Sequence, residues 1–214
     1  MKTYAAYLFD LDGTLVDTAP DINAALNHAL TTHGCKGVEE AHTRHCVGHG
    51  AKALVNGAIR DQGLDPDLET PLLDAFIDFY SENLSGLSEP YPGVLDALGQ
   101  LQARGAGLAV VTNKLARFTE PLLKELNLTG WFQAIVCGDT TANAKPAADP
   151  AFEACKRLGT APEASLFVGD SAADVGCARA AGCPVVVVRD GYNHGIAPDE
   201  LGADRVIESF LDLV

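Results

Sequence analysis

Basic residues are scarce in this 214-residue chain. It contains 15 lysines and arginines against 29 aspartates and glutamates, which gives a formal net charge of −14 at pH 7. A surface with this excess of negative charge repels the phosphates of nucleic acids and acidic membrane headgroups. We therefore expect neither nucleic acid nor a membrane as a partner. A phosphorylated small molecule is also repelled, but screening over about 8 Å lets local cations dominate inside a pocket.

Long apolar runs and paired cysteine motifs are also missing. No stretch approaches the roughly 20 apolar residues that span a bilayer. Asp10 and Asp12 interrupt the apolar start of the chain before a signal sequence could form. The six cysteines fall at irregular intervals without a Cys-x-x-Cys pair, a usage typical of reduced thiols. With 47% hydrophobic residues, the sequence predicts a soluble, well-cored cytoplasmic protein.

Apolar strand-like runs alternate with helix-like segments from Tyr91 onward. Strands are predicted at residues 107–112, 134–137, 165–168 and 184–188, the last being the final strand, and another lies at residues 4–9. Helices are predicted at residues 95–104, from about Thr119 to Leu126, from an N-cap at Asp149 to Gly159, and at residues 172–181. Repeated β-α units of this kind predict a doubly wound parallel α/β sheet.

Residues 17–90 carry a different pattern. They show helical periodicity without strands, in apolar segments near residues 22–30, 54–59 and 72–80. About 70 residues is more than one crossover between parallel strands needs. We expect an α/β core formed by residues 1–16 and 91–214, with residues 17–90 inserted as an all-helical cap domain. The alternative is that these helices simply pack on the sheet.

Two carboxylates end the N-terminal strand, in the sequence Phe9-Asp10-Leu11-Asp12-Gly13-Thr14. Alternate residues of a strand point to the same side, so we expect Asp10 and Asp12 to converge. Gly13 permits the sharp turn that follows. Two like charges this close require a cation or a shared proton. The pattern favours a Mg²⁺-dependent phosphoryl-transfer site.

Other predicted strands also end in polar residues. Thr112-Asn113 ends one, Gly169-Asp170-Ser171 ends another with Asp174 one turn later, and a loop after a third leads to Lys145-Pro146. Ligands of doubly wound sheets bind at the carboxyl ends of the strands, so these groups should face one crevice. Carboxylates suit Mg²⁺ and a nucleophile, whereas the hydroxyl and the ammonium suit phosphoryl oxygens.

These motifs, in this order, resemble those of the haloacid dehalogenase superfamily. The resemblance covers nearly the whole chain, and the helical insert lies where that family has its mobile cap. Within the superfamily the chain is most similar to the phosphoglycolate phosphatases. Three further segments support this similarity: Val47-Gly48-His49-Gly50, Cys137-Gly138-Asp139-Thr140 and Gly191-Tyr192-Asn193-His194-Gly195.

The resemblance implies roles for the acidic residues. Asp10 would be the nucleophile and a Mg²⁺ ligand. Asp12 would be the general acid and base, and its backbone carbonyl would bind the metal. Asp170 would be the third protein ligand, and Asp174 would orient the others.

The resemblance also implies the substrate contacts and the reaction. Thr112, Asn113 (through its backbone) and Lys145 would hold the phosphoryl group, and His49 would contact the non-phosphate end, with Lys52 beside it. The expected reaction is hydrolysis of a small phosphomonoester, such as 2-phosphoglycolate to glycolate and phosphate, through an aspartyl-phosphate. We expect a monomer or a weak homo-oligomer.

Several alternatives remain open from the sequence. Another sugar-phosphate phosphatase or a phosphomutase would use the same motifs, whereas a haloacid dehalogenase would lack Asp12. A receiver-type signalling protein also pairs acidic residues with Lys around Mg²⁺. The cluster of His42, His45, Cys46 and His49 has partial zinc-site spacing, but Gly48 and Gly50 interrupt its helix. A cap surface facing the substrate is the favoured interpretation of this cluster.

Overall fold

A computed structural model describes residues 3–48 and 50–214. Its centre is a sheet of six strands in which every neighbouring pair runs parallel. The strands are β1 (Ala6–Phe9), β4 (Gly107–Val111), β5 (Ala134–Val136), β6 (Ser165–Gly169), β7 (Val185–Val188) and β8 (Arg205–Ile207). The predicted α/β class with a parallel sheet is confirmed.

The strand order is β5-β4-β1-β6-β7-β8. From β1 the chain first builds outward through β4 and β5, then crosses back to β6 and builds outward on the other side. The connections after β1 and β6 therefore leave the sheet in opposite directions. This divergence opens a crevice at the carboxyl ends of β1 and β6, where ligands of such sheets bind.

Helices cover both faces of the sheet. α5 (Val94–Ala103) and α6 (Ala116–Glu125) belong to one apolar cluster, and α7 (Asp149–Leu158) and α8 (Ala172–Ala181) belong to the other. Successive residues of β1 alternate between the clusters, since Tyr7 and Phe9 belong to the first and Leu8 to the second. A strand buried on both faces is apolar throughout, which explains its unbroken apolar run.

Residues 18–88, called here the helical segment, contain four α-helices: α1 (Ala19–Thr32), α2 (Glu40–Cys46), α3 (Ala51–Gln62) and α4 (Glu69–Glu82). α4 packs against both α1 and α3. The chain enters the segment through β2 (Val16–Asp17) and leaves it through β3 (Glu89–Pro90), and these two strands pair antiparallel. The prediction of a region without strands is wrong at these three boundary residues, because a two-residue strand is too short to show alternation.

Three other expectations about elements are wrong. The strand at residues 184–188 is not the last, since β8 follows it at the sheet edge, where its arginine is exposed. α6 begins at Ala116 rather than near Thr119, and Pro121 lies inside the helix. The cap of α7 is Ala148, and Asp149 is the first helical residue. Among the described residues, no helix is both long and apolar enough to span a bilayer.

Candidate active site

The carboxyl ends of β1 and β6 bring together three carboxylates and one ammonium group. Asp10 directly follows β1, Asp170 directly follows β6, and Asp174 lies in the first turn of α8. One oxygen atom from each lies within 4.8 Å of the other two. Nζ of Lys145 lies 2.6 Å from Oδ1 of Asp10 and 2.7 Å from Oδ1 of Asp174. All four side chains are buried, so residues far apart in sequence form one charged cluster.

Asp170 is held by two donors from different parts of the chain. The hydroxyl of Thr14 donates to Oδ1 at 2.7 Å, and the backbone N–H of Tyr192 donates to Oδ2 at 2.6 Å. Two glycines allow this close approach: a Cβ at Gly191 would overlap the Asp170 side chain, and Gly13, at φ +83°, lies against both Asp170 and the Tyr192 ring. The position of this carboxylate is therefore determined by the surrounding backbone.

Asp174 caps its own helix and holds Lys145. Its Oδ2 accepts hydrogen bonds from the hydroxyl and the backbone N–H of Ser171, at 2.6 and 3.0 Å, and from the backbone N–H of Asp170 at 3.2 Å. Its Oδ1 accepts from Nζ of Lys145. Both carboxylate oxygens are thus occupied by protein donors, an arrangement that suits an orienting group.

Asn113 fixes the loop that carries Lys145. Its Oδ1 accepts a hydrogen bond from the backbone N–H of Lys145 at 2.9 Å, and its Nδ2 donates to the carbonyl of Lys145 at 3.1 Å. The Lys145-Pro146 peptide bond is cis. The amide side chain of Asn113 is therefore used to hold the loop, which leaves its backbone N–H as its group for a substrate.

Asp12 points away from the carboxylate cluster, because the chain leaves the strand at Asp10 and strand alternation ends there. The expected convergence of the Asp10 and Asp12 side chains is therefore not observed. Oδ1 of Asp12 instead accepts from the hydroxyl of Thr18 at 2.7 Å and from Nζ of Lys114 at 3.0 Å. Thr112 is buried nearby, and its Oγ1 accepts from the backbone N–H of Lys114 at 3.1 Å.

The buried cluster has more negative than positive charge. Burial raises the pKa of Asp10 to about 7, repulsion from Asp174 adds to the rise, and attraction to Lys145 opposes it. Burial, then repulsion from Asp174 and Asp10, also raises the pKa of Asp170. Although burial alone would lower it, the two neighbouring carboxylates raise the pKa of Lys145 above its usual range. Three carboxylates thus share one ammonium group.

This donor set fits a divalent cation that prefers oxygen ligands. Among the residues that the structure describes, Asp170 has no cationic partner. Within the same described residues, Oδ1 of Asp10 is buried without a hydrogen bond of acceptable geometry, despite its contact with Lys145. A cation between Asp10 and Asp170 would neutralise the excess charge.

A cavity of about 310 Å³ lies between this cluster and the helical segment. Asp12, Asn113 and Lys114 contribute to its lining from the side of the sheet. Apolar side chains from three helices form most of the rest: Leu54, Leu73, Phe76, Ile77 and Phe118. The two sides of the crevice therefore differ sharply in polarity.

A family model described as haloacid dehalogenase-like hydrolase matches residues 7–188. The chain belongs to this family. It is 37% identical to a phosphoglycolate phosphatase of Nitrosococcus oceani (100% of this chain, 96% of that protein) and 38% identical to an N-acetylmuramic acid 6-phosphate phosphatase of Pseudomonas aeruginosa (98% and 92%). A crystal structure described as a predicted phosphoglycolate phosphatase from Haemophilus somnus 129pt superposes with a TM-score of 0.93 at 33% identity, covering 100% of this chain and 97% of that one.

The family membership expected from the motifs is confirmed, as is the expectation of an enzyme, a phosphoric monoester hydrolase. A receiver-type signalling protein is thereby set aside, since the matches with hydrolases extend over nearly the whole chain.

The histidines of this haloacid dehalogenase-like hydrolase are dispersed. His49, an expected substrate contact, lies outside the described residues. Nδ1 of His42 lies 3.8 Å from Oδ2 of Asp61, whereas the ring of His45 faces that of His194. The only group of three metal-ligating residues in the described part of the chain is that of Asp10, Asp170 and Asp174.

Three further residues of the hydrolase site had no assigned role in the sequence analysis. Lys114 directly follows the strand-end pair Thr112-Asn113, so the rule that strand ends bear ligands could have included it. Thr14 is part of the aspartate motif, but nothing in the motif shows that its hydroxyl reaches Asp170. Tyr192 contacts Asp170 through its backbone, for which a side-chain pattern carries no signal.

Proposed function

We propose that this hydrolase is a Mg²⁺-dependent phosphatase that acts on a small phosphomonoester through an aspartyl-phosphate on Asp10. The observation that carries the proposal is the buried cluster of Asp10, Asp170, Asp174 and Lys145, with its excess negative charge, at the point where the strand order reverses. Asp10, Asp170 and the backbone carbonyl of Asp12 would hold the metal. When bound, Mg²⁺ supplies positive charge that reduces repulsion between an anionic nucleophile and an anionic substrate.

The first step transfers the phosphoryl group to the protein. A carboxylate oxygen of Asp10 attacks phosphorus, the ester P–O bond breaks, and the leaving alkoxide takes a proton from Asp12. Thr18 and Lys114 orient the Asp12 carboxyl group for this transfer. Lys145 and the hydroxyl of Thr112 donate to the phosphoryl oxygens, and Asp174 keeps Lys145 in position.

The second step regenerates the enzyme. Asp12, now a carboxylate, takes a proton from a water molecule, whose oxygen bonds to phosphorus as the bond to Asp10 breaks. Inorganic phosphate and a free Asp10 carboxylate result. We further propose that the helical segment is a cap domain that covers the crevice. The expected state of a monomer or weak homo-oligomer stays a prediction.

Two substrates are candidates on the basis of the relatives. 2-Phosphoglycolate is suggested by the phosphoglycolate phosphatases, and a phosphorylated amino sugar is suggested by the N-acetylmuramic acid 6-phosphate phosphatase at similar identity. A phosphomutase would return the phosphoryl group to sugar instead of water, and measured phosphate release separates these reactions.

Substitution of the nucleophile tests the proposal. Asp10→Asn keeps the shape of the side chain but weakens its nucleophilicity, so release of phosphate from both candidates with Mg²⁺ should fall by about 10³-fold or more. Chelation of divalent cations should abolish wild-type turnover. Asp74→Asn, at an exposed position of α4, is the matched control and should leave turnover unchanged. Phosphate release that survives Asp10→Asn, or full activity after exhaustive chelation, would contradict the proposal.

A further inference from the structure

The cavity beside Asp12 is larger than a two-carbon leaving group requires. Its volume of about 310 Å³ would hold on the order of ten water molecules. It includes Asp12, the proposed proton donor to the leaving alcohol, so the space lies where the non-phosphate end of a substrate must go. Glycolate would occupy only a small part of it.

The walls of the cavity suit apolar substituents. Leu73, Phe76 and Ile77 of α4 contribute to one side, and Leu115 and Phe118 contribute to the side of α6. Such surfaces exclude water and offer no hydrogen bond to a carboxylate. They are complementary to methyl, methylene and acyl groups.

Two polar groups in the lining are available to a ligand. Oη of Tyr80 is buried and, among the described residues, makes no hydrogen bond of acceptable geometry, although the ammonium of Lys114 lies over its ring, 4.9 Å from the centroid. The exposed guanidinium of Arg117 forms no ion pair within the described part of the chain and lies 4.6 Å from the centroid of the Phe118 ring. In contrast, Lys52 at the same cavity is paired with Glu69 at 2.9 Å.

We propose that this cavity is a leaving-group subsite for a phosphorylated sugar acid that carries acyl or alkyl-ether substituents. The apolar walls receive the substituents, Tyr80 hydrogen-bonds a ring or acyl oxygen, and Arg117 pairs with the carboxylate. This inference rests on the proposed phosphatase function and ranks the two-carbon substrate below the larger one.

A graded series of phosphomonoesters tests the subsite. The probes are N-acetylmuramic acid 6-phosphate, N-acetylglucosamine 6-phosphate without the lactyl carboxylate, glucose 6-phosphate without the acetyl group, and 2-phosphoglycolate. We expect kcat/KM to decrease in that order, with at least a tenfold difference between the first and the last, since one apolar group changes specificity by about 10–200-fold.

Two variants locate the effect in the cavity. Ile77→Trp fills the space and should lower the ratio of kcat/KM for the first probe over that for 2-phosphoglycolate by about tenfold, mainly through KM. Arg117→Gln, at an exposed position that tolerates substitution, should reduce the preference for the probe with the carboxylate over N-acetylglucosamine 6-phosphate. Arg104→Gln, exposed at the end of α5, is the control and should change neither ratio.

The outcomes separate the two proposals. If 2-phosphoglycolate is hydrolysed at least as efficiently as the larger probes and neither variant changes the ratios, the subsite is wrong while the phosphatase function stands. If the wild-type enzyme releases phosphate from none of the four probes, the proposed function and the subsite both fall.

Discussion

The two sides of the crevice are built on opposite principles. On the side of the sheet, each charged group is buried and held by donors from distant parts of the chain, as Asp170 is by Thr14 and Tyr192. On the side of the helical segment, the surface is mostly apolar, and its buried polar atom, Oη of Tyr80, has no hydrogen bond within the described residues. The comparison suggests that the sheet side carries out the reaction and the helical side selects the substrate.

Removing Lys145 should have the largest effect on this comparison. Lys145→Met leaves Asp10 and Asp174 as buried carboxylates without their shared cation. Breaking a buried ion pair from one side costs about 3–5 kcal/mol, so the free energy of unfolding in metal-free buffer should fall by this amount. The measurement is urea denaturation, and Lys156→Met, an exposed lysine beside Glu153, is the matched control that should leave the midpoint nearly unchanged.

A loss in Lys145→Met as small as in Lys156→Met would show that the cluster is less strained by charge than the contacts suggest. Added Mg²⁺ should restore part of the lost stability, because a second source of positive charge then faces the carboxylates.

The stability of the metal-free protein should decrease as the pH rises. The pKa of Asp10 is about 7 in the folded protein and 3.8 as its ordinary value, so the folded state binds more protons than the unfolded state between these limits. The free energy of unfolding therefore falls through this range, by at most about 1.4 kcal/mol per pH unit for one proton. Thermal unfolding at pH 4.5 to 7.5 in chelator measures it.

Asp10→Asn is the control for this pH dependence and should flatten the slope, leaving only the part due to Asp170. Mg²⁺ affinity should rise over the same pH range, because the cation binds deprotonated carboxylates. Metal-free stability that increases between pH 4.5 and 7 would contradict the assigned pKa shift.

A smaller effect is expected where the two sides are joined. The hydroxyl of Tyr192 donates to Oδ1 of Asp17 at 2.5 Å and accepts from the backbone N–H of Ala19 at 2.9 Å. Tyr192→Phe leaves that N–H without its partner, so the free energy of unfolding should fall by about 1–2 kcal/mol. Arg44→Gln removes only the half-exposed ion pair with Asp17 and should cost less.

Metal affinity provides the second readout for Tyr192→Phe. The backbone N–H that holds Asp170 is retained, so the affinity for Mg²⁺ should remain close to that of the wild type. A large loss of affinity without a loss of stability would mean that the hydroxyl controls the carboxylate cluster directly.

The elements that the sequence predicted well are those with strong local signals. The buried strands read as apolar runs, and the polar residues after them, Asp10, Asp170 and Lys145, meet because parallel strands share one carboxyl edge. β8 was missed because a three-residue edge strand with an exposed arginine lacks such a run. The ion pair of Lys114 with Asp12 and the clamp of Asn113 on the Lys145 loop are long-range contacts, which periodicity and motif spacing do not encode.

The pairing of β2 with β3 places the two ends of the helical segment side by side, since Val16 faces Pro90 and Asp17 faces Glu89. An insert whose entrance and exit adjoin can be exchanged or shortened without pulling the flanking strands apart. Evolution could thus graft a different lid onto the same reaction chemistry, and a protein engineer could transplant one from a relative to redirect substrate choice while Asp10 and Asp170 stay in place.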